Sequence, residues 1–318
     1  MKVIRFLKDW MLVVSMLAGV AGYLLYAALD LPPVARAFAG NAVAVIQPVL
    51  IFAMLFLTFC KIDPRSLRLC GWHVWLLLFQ AGVFTLIGCL LIAMPHSGLR
   101  VVLEGAMICI ICPTATAGAV ITRKLGGDVS HITTYTILIN LTAALLIPLL
   151  LPYVHPNPAL GAGTSSVLIL GKVFPLLLLP LVSAMLVRIL LPSLQRALAR
   201  CQEVSFYLWA VALALALAVT ARSIAHSTVA LSTQLWLVAV SLVCCGVQFW
   251  LGRKIGARFD DMTTAGQALG QKNTVLAIWL GYTFFTPVTS VVGGFYSIWH
   301  NLVNSRQLYR HKKLSRGE

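Results

Sequence analysis

Charge is the scarce commodity in this chain. Lysine, arginine, aspartate and glutamate make up 10% of its 318 residues, against 60% hydrophobic ones. That leaves too little polar surface to cover a water-soluble core of this size, which excludes a soluble domain. Acid is scarcer still: Asp9, Asp30, Asp63, Glu104, Asp128, Glu203, Asp260, Asp261 and Glu318 are the nine acidic residues. All fall in loops, tails or near the ends of apolar runs. With no acid–base pair or metal-ligand cluster inside those runs, the chain does not read as an enzyme, and neither a cofactor nor a metal is expected. The eight cysteines form no framework either. Cys109-Ile110-Ile111-Cys112 has the spacing of a redox or metal pair, but no second pair or nearby histidine completes it. They are read as small buried hydrophobes, and no disulfide is expected.

What is abundant is apolar length. Windows of about 20 residues, enough to cross hydrocarbon, fall near 10–29, 41–60, 71–94, 101–122, 130–154, 165–192, 202–225, 231–252, 262–285 and 286–305. The first follows Lys2, Arg5 and Lys8 and precedes Ala37-Phe38-Ala39, the outline of a signal peptide. Its length from Trp10 to Leu29 favours a retained first span. The formal charge of +15 does not point to nucleic acid, because the basic residues lie in short loops between apolar runs. Of the 24 lysines and arginines, nineteen fall in the two tails and in the loops after the even-numbered spans. Only Arg36, Arg100, Lys172 and Arg222 fall on the other face, and Lys272 lies within a span. This asymmetry predicts ten spans with both termini in the cytoplasm. A bacterial inner membrane is the expected location.

Two windows are interrupted, by Cys112-Pro113-Thr114-Ala115-Thr116-Ala117-Gly118 and by Ala268-Leu269-Gly270-Gln271-Lys272-Asn273. Each is the fourth span of its half when the chain is divided into residues 1–157 and 158–318. Five spans per half invert the second half relative to the first. Matched breaks in inverted halves are a pointer to a secondary transporter's binding site. Lys272 sits in the second break, about a dozen residues from either end of its window, where a charge costs at least about 2.5–3.5 kcal/mol. The bland alternative is a lysine that snorkels to an interface.

Across Gly105–Leu151 and Thr263–Asn304, including Phe295-Tyr296-Ser297-Ile298-Trp299-His300-Asn301, the sequence resembles the bile acid:sodium symporter family. The resemblance implies an all-α polytopic membrane protein in which spans 3–5 and 8–10 form a core and spans 1, 2, 6 and 7 a panel. It implies that broken helices 4 and 9 cross, with organic anions bound against the crossover. Thr116, Asn273, His300 and Asn301 are then candidate substrate contacts. The family motif in the first break is Cys-Pro-x-x-Thr-Ala-Ser-Asn, and here Gly118-Ala119 replaces Ser-Asn, which supplies sodium ligands. In the second, Glu-x-Gly-x-Gln-Asn becomes Ala268-Leu269-Gly270-Gln271-Lys272-Asn273. The shared sodium glutamate is thus Ala268 and a second-site glutamine is Lys272. On span five Ile132 stands at one ligand hydroxyl position while Thr136 keeps another, and Gln80 retains its second-site role.

A hard cation needs several oxygens, by analogy with other hard cations, and Gly118, Ala119, Ile132, Ala268 and Lys272 remove them. One glutamate with two sodium ions carries a net single positive charge; a protonated Lys272 without the glutamate carries the same. Lys272 is therefore expected as a tethered cation, held by freed carbonyls and by the side-chain oxygen of Gln80. The expected function is alternating-access transport of a small or amphipathic organic anion, independent of sodium, with protons as the candidate coupling ion. Two rivals remain: a sodium symporter with a site rebuilt from carbonyls, Gln267 and Gln271, and a membrane sensor that binds the ligand without moving it. His131 and Asp128 are read as a solvated helix cap, and Arg306–Lys313 as a basic anchor at a lipid bilayer.

Overall fold

Apolar runs make long helices here, three of them around internal prolines (Pro48; Pro148 and Pro152; Pro175), and the breaks are where the chain becomes informative. The computed structural model describes residues 10–29, 31–200 and 202–315. Lys2, Arg5, Lys8, Asp9, Asp30, Cys201 and both termini, to which expectations were attached, lie outside the described residues. Fourteen α-helices account for most of those described: α1 (Met11–Ala28), α2 (Pro33–Cys60), α3 (Gly71–Ala93), α4 (Arg100–Ile111), α5 (Gly118–Lys124), α6 (Val129–Val154), α7 (Ala162–Leu177), α8 (Leu179–Leu190), α9 (Pro192–Arg200), α10 (Gln202–Ala225), α11 (Leu231–Gly256), α12 (Met262–Gly270), α13 (Thr274–Phe284) and α14 (Ser290–Ser315). The single β-bridge among the described residues joins Thr114 to Lys272.

Six helices are long and apolar enough to cross a membrane, and seven if α7 and α8 make one broken span. These are the helices of a multi-pass membrane protein. The other three expected windows do not meet that criterion. The fourth and ninth are each divided into two short helices, and α14 is long but too polar to count.

Proline explains two of the interruptions. Pro113 has no N–H to donate and forces the preceding residue out of helical geometry. Cys112 duly adopts φ −56°, ψ 129°, ending α4. Pro180, in the first turn of α8, has no N–H for the Leu176 carbonyl, and the chain breaks at Leu178 between α7 and α8. That second break also separates two compact units. One contains α1, α2, α8, α9 and α10; the other contains α3–α7 and α11–α14. The boundary runs through the sixth window, so α7 goes with the second unit and α8 with the first.

Within the second unit α11 and α12 form the tightest pair. Two Gly-x-x-x-Gly steps, Gly252/Gly256 and Gly266/Gly270, bring the helices to backbone contact, as small residues do between membrane helices. A Cβ on Gly252 would lie 2.5 Å from the Ala265 carbonyl oxygen, and one on Gly270 would lie 2.4 Å from the Phe249 ring. Against α12 lies a cluster of fully buried residues from α3, α6 and α12: Trp72, Leu76, Ile132, Tyr135, Ile139, Ala265, Ala268 and Leu269.

Gly252→Val is expected to lower thermal stability in detergent by about 1–3 kcal/mol, the usual range for overpacking. Gly246→Ala, on the same helix with nothing within 4 Å of its Cβ, is the matched control and should be near neutral. Equal effects of the two substitutions would contradict the backbone contact.

Candidate functional site

Both broken windows expose backbone groups that a helix would have paired, and the two breaks pair with each other. The Ala115 amide donates to the Gln271 carbonyl at 2.9 Å, and the Asn273 amide to the Pro113 carbonyl at 2.9 Å. Side chains extend the link. Thr114 Oγ1 donates to the Ala268 carbonyl at 2.7 Å, and Cys112 Sγ to the Asn273 carbonyl at 3.1 Å. Asn273 also caps α13, its Oδ1 accepting from the Leu276 amide at 3.2 Å. The result is an antiparallel crossing of two extended segments, from which α5 and α13 begin as half-helices.

Lys272 lies at that crossing. Its side chain is 1% exposed, which rules out a snorkelling lysine. Its ammonium donates to the Ile110 carbonyl at 3.3 Å, freed where α4 ends. The thiols of Cys109, Cys112, Cys244 and Cys245 lie near enough to interact with it electrostatically. Among the described residues it makes no ion pair with a carboxylate.

Gln80 departs from expectation. Its Nε2 donates to the same Ile110 carbonyl at 2.5 Å, while its Oε1 accepts from the Tyr135 hydroxyl. The oxygen expected to hold the ammonium is thus taken by a tyrosine that lies in the buried apolar cluster. A second glutamine–tyrosine couple brackets the other break. Gln248 Nε2 lies 3.2 Å from both the Tyr296 hydroxyl and the Cys109 carbonyl, and the Tyr296 hydroxyl donates to the Gly270 carbonyl at 2.9 Å. Sequence reasoning missed Tyr135, Gln248 and Tyr296. The signal was present: each glutamine is in the third window of its half and each tyrosine in the fifth.

The remaining candidates divide clearly. Ile132 and Ala268 are fully buried members of the apolar cluster, and Ala119 packs against it. A Cβ on Gly118 would sit 3.1–3.2 Å from Thr114 Cγ2, Gln271 Oε1 and Ile132 Cδ1, so that space is filled. Thr136 Oγ1 donates to its own helix at the Ile132 carbonyl, 2.8 Å away. Thr116 is half-buried on the first break. His300 is buried and stacks edge-on with Tyr296 at 5.8 Å, one turn from the crossing. Asn301 donates back to the Ser297 carbonyl at 2.7 Å. Gln271 Oε1 and Gln267 Oε1 are buried without a hydrogen-bond partner, while Gln267 Nε2 donates to Asn304 and Gln307 of α14 at 3.1 and 2.9 Å.

Both ends of the second unit are pinned by acids. Glu104, fully buried one turn into α4, pairs with Arg100 at 3.2 Å and His155 at 3.3 Å and accepts from the Thr286 amide at 3.0 Å. Asp261 accepts from Trp72 Nε1 at 3.0 Å and lies 2.7 Å from His131 Nδ1. Asp128 caps α6, accepting from the Ser130 and His131 amides.

No model of a known protein family matches the sequence, and no curated protein matches it.

Replacing both members of a couple should cost less than the sum of the single changes. For Gln80→Leu with Tyr135→Phe the coupling in thermal stability is expected at about 0.5–3 kcal/mol. Gln248→Leu with Tyr296→Phe should behave alike. Strict additivity in both cycles would mean that the couples are incidental contacts.

Proposed function

We propose that the chain is a secondary transporter of an organic anion, built on the inverted-repeat, core-and-panel plan of the bile acid:sodium symporter family and working by alternating access without sodium. The observation that carries this reading is the antiparallel pairing of two broken helices around a buried, carboxylate-free lysine. Paired breaks leave half-helix termini at the crossover, and the positive N-terminal ends attract an anion. The matched glutamine–tyrosine couples support the repeat, since they occupy corresponding windows in the two halves. Thr116 and Asn273 are the proposed substrate contacts, with His300 lining the same side. In this reading the ten windows all traverse the bilayer, with nineteen cations facing the cytoplasm of a bacterial cell.

Sodium independence rests on packing. The positions where the family resemblance implies sodium ligands are Ile132 and Ala268, inside the apolar cluster, Ala119 against it, and Gly118, whose free volume is occupied. A desolvated sodium ion at Ile132, Ala268 or Ala119 would meet hydrocarbon side chains instead of oxygen. Lys272 supplies a fixed positive charge in its stead, held by the Ile110 carbonyl. One observation favours the rebuilt sodium site: the buried Gln267 and Gln271 oxygens, both without partners, are of the right chemistry for a hard cation.

Uptake of an anion panel into proteoliposomes, with sodium and proton gradients imposed separately, is the direct test. Replacing sodium by choline should leave both the uptake rate and the thermal stability in detergent unchanged; steep, sigmoidal sodium dependence would promote the rebuilt site. Thr116→Trp should abolish substrate binding in a protein that still inserts and folds. Lys272→Met should reduce transport to background, because it removes the fixed positive charge that the proposed anion meets at the crossover. Parent rates in Lys272→Met would remove the lysine from the mechanism. Lys272→Arg keeps the charge but cannot release its proton, so it should abolish any uptake driven by a proton gradient.

A further inference from the structure

Far from the crossing, each broken window is fastened to the same unbroken helix. Because the crossing is antiparallel, α4 and α13 leave it on one side and α5 and α12 on the other. On the first side, Glu104 accepts from the Thr286 amide, just past the end of α13. The same carboxylate stands 3.3 Å from Nε2 of His155, the residue that closes α6. On the second side, Asp261 precedes α12 and stands 2.7 Å from Nδ1 of His131, in the first turn of α6. The Asp128 amide adds a bond to Thr264 Oγ1 of α12 at 2.9 Å. An acid–histidine pair thus stands at each end of α6, one for each broken window.

Both acids are turned toward other elements. An aspartate in the position of Asp261 ordinarily caps its own helix with its side chain. Here that side chain makes no cap bond and reaches Trp72 Nε1 of α3 and His131 of α6 instead. A carboxylate as buried as Glu104 is costly unless it is paired and hydrogen-bonded. Beyond Arg100 of its own helix, its partners come from the end of α6 and from the segment after α13. Between the two pairs α6 runs unbroken for 26 residues, about 39 Å at the helical rise, and Pro148 and Pro152 leave it continuous. A broken helix has no such fixed length, since its extended residues can rotate about φ and ψ and swing the half-helix beyond them. Tying the far ends of α4 and α12 to one continuous helix removes that freedom.

We propose that α6 is the splint of the crossing, with Glu104 and Asp261 as the positioning residues that hold α4 and α12 to its two ends. They act on the proposed anion site through the crossing bonds, so this role rests on the reading of the crossover as that site. The test is hydrogen–deuterium exchange of the full-length protein in detergent, read peptide by peptide with no anion added. Asp261→Asn and Glu104→Gln should each speed exchange about tenfold across 112–118 and 270–275, far from the substituted acid, while 231–245 of α11 changes by less than about twofold. His131→Gln and His155→Gln, which leave both carboxylates in place, should act alike and decide where an acid variant does not fold. Acceleration confined to the peptide around the substituted residue, or equal in α11, overturns the proposal. That outcome is distinct from a failure of transport, because a chain that moves no anion would still show the faster exchange at the crossing.

Discussion

The second unit depends on one constraint: a helix interrupted inside an apolar layer strands backbone donors and acceptors that no water can satisfy. Here the stranded groups of one break are satisfied by those of the other. Four hydrogen bonds span the crossing, two between backbones and two from Thr114 and Cys112. Either break alone would leave its buried groups without these partners. Once paired, they bring two half-helix starts, the capping Asn273 and the Lys272 ammonium to one place. The side chains around them follow from that meeting, including the glutamine–tyrosine couples that take up the carbonyls where α4 and α12 end.

A buried ammonium is costly unless it is well solvated by the protein. Among the described residues Lys272 has no carboxylate partner, yet it is held by the Ile110 carbonyl, where α4 ends, which also accepts from Gln80. Tyr135 takes the Gln80 oxygen and turns the amide so that its donor, not its acceptor, faces the crossing. Two donors therefore share one acceptor. In the proposed mechanism the ammonium's charge draws an anion to the crossover.

The two breaks and the lysine were legible in the sequence because they are local. Pro113 disfavours helix through its own ring and missing N–H, and a charge in an apolar window needs no tertiary context to be conspicuous. The apolar filling of the expected ligand positions was half legible. Ala268 and Ile132 lack oxygens on inspection, but only packing shows them in one cluster with Trp72 and Tyr135. The orientation of Gln80 was not legible at all, since it turns on a hydroxyl from another helix. Span counting suffered from the same cause as the site itself. The residues that interrupt windows four and nine, and the polar side chains of α14, are what make those segments fail a test of apolar length. Glu104 was visible as an acid near a span end, while its burial beneath Arg100 and His155 depends on where α6 finishes.

The two breaks have different physical origins, and that difference bears on how the proposed transporter can move. The first contains a local breaker, Pro113, although proline alone does not break α2, α6 or α7. The second contains no proline. Gly270 ends α12 where it meets the Phe249 ring, and Asn273 restarts the chain by capping α13. Its extended geometry is therefore sustained by α11 and by the first break together. Pulling the crossing apart would leave several buried polar groups unpaired at about 1–3 kcal/mol each. It would also remove the partner that keeps the second break extended. Opening the site from within is thus the expensive route. Motion that carries both broken helices, α11 and the glutamine–tyrosine couples as one block preserves every bond at the crossing. Alternating access by rocking such a block about a fixed site demands that economy of internal change.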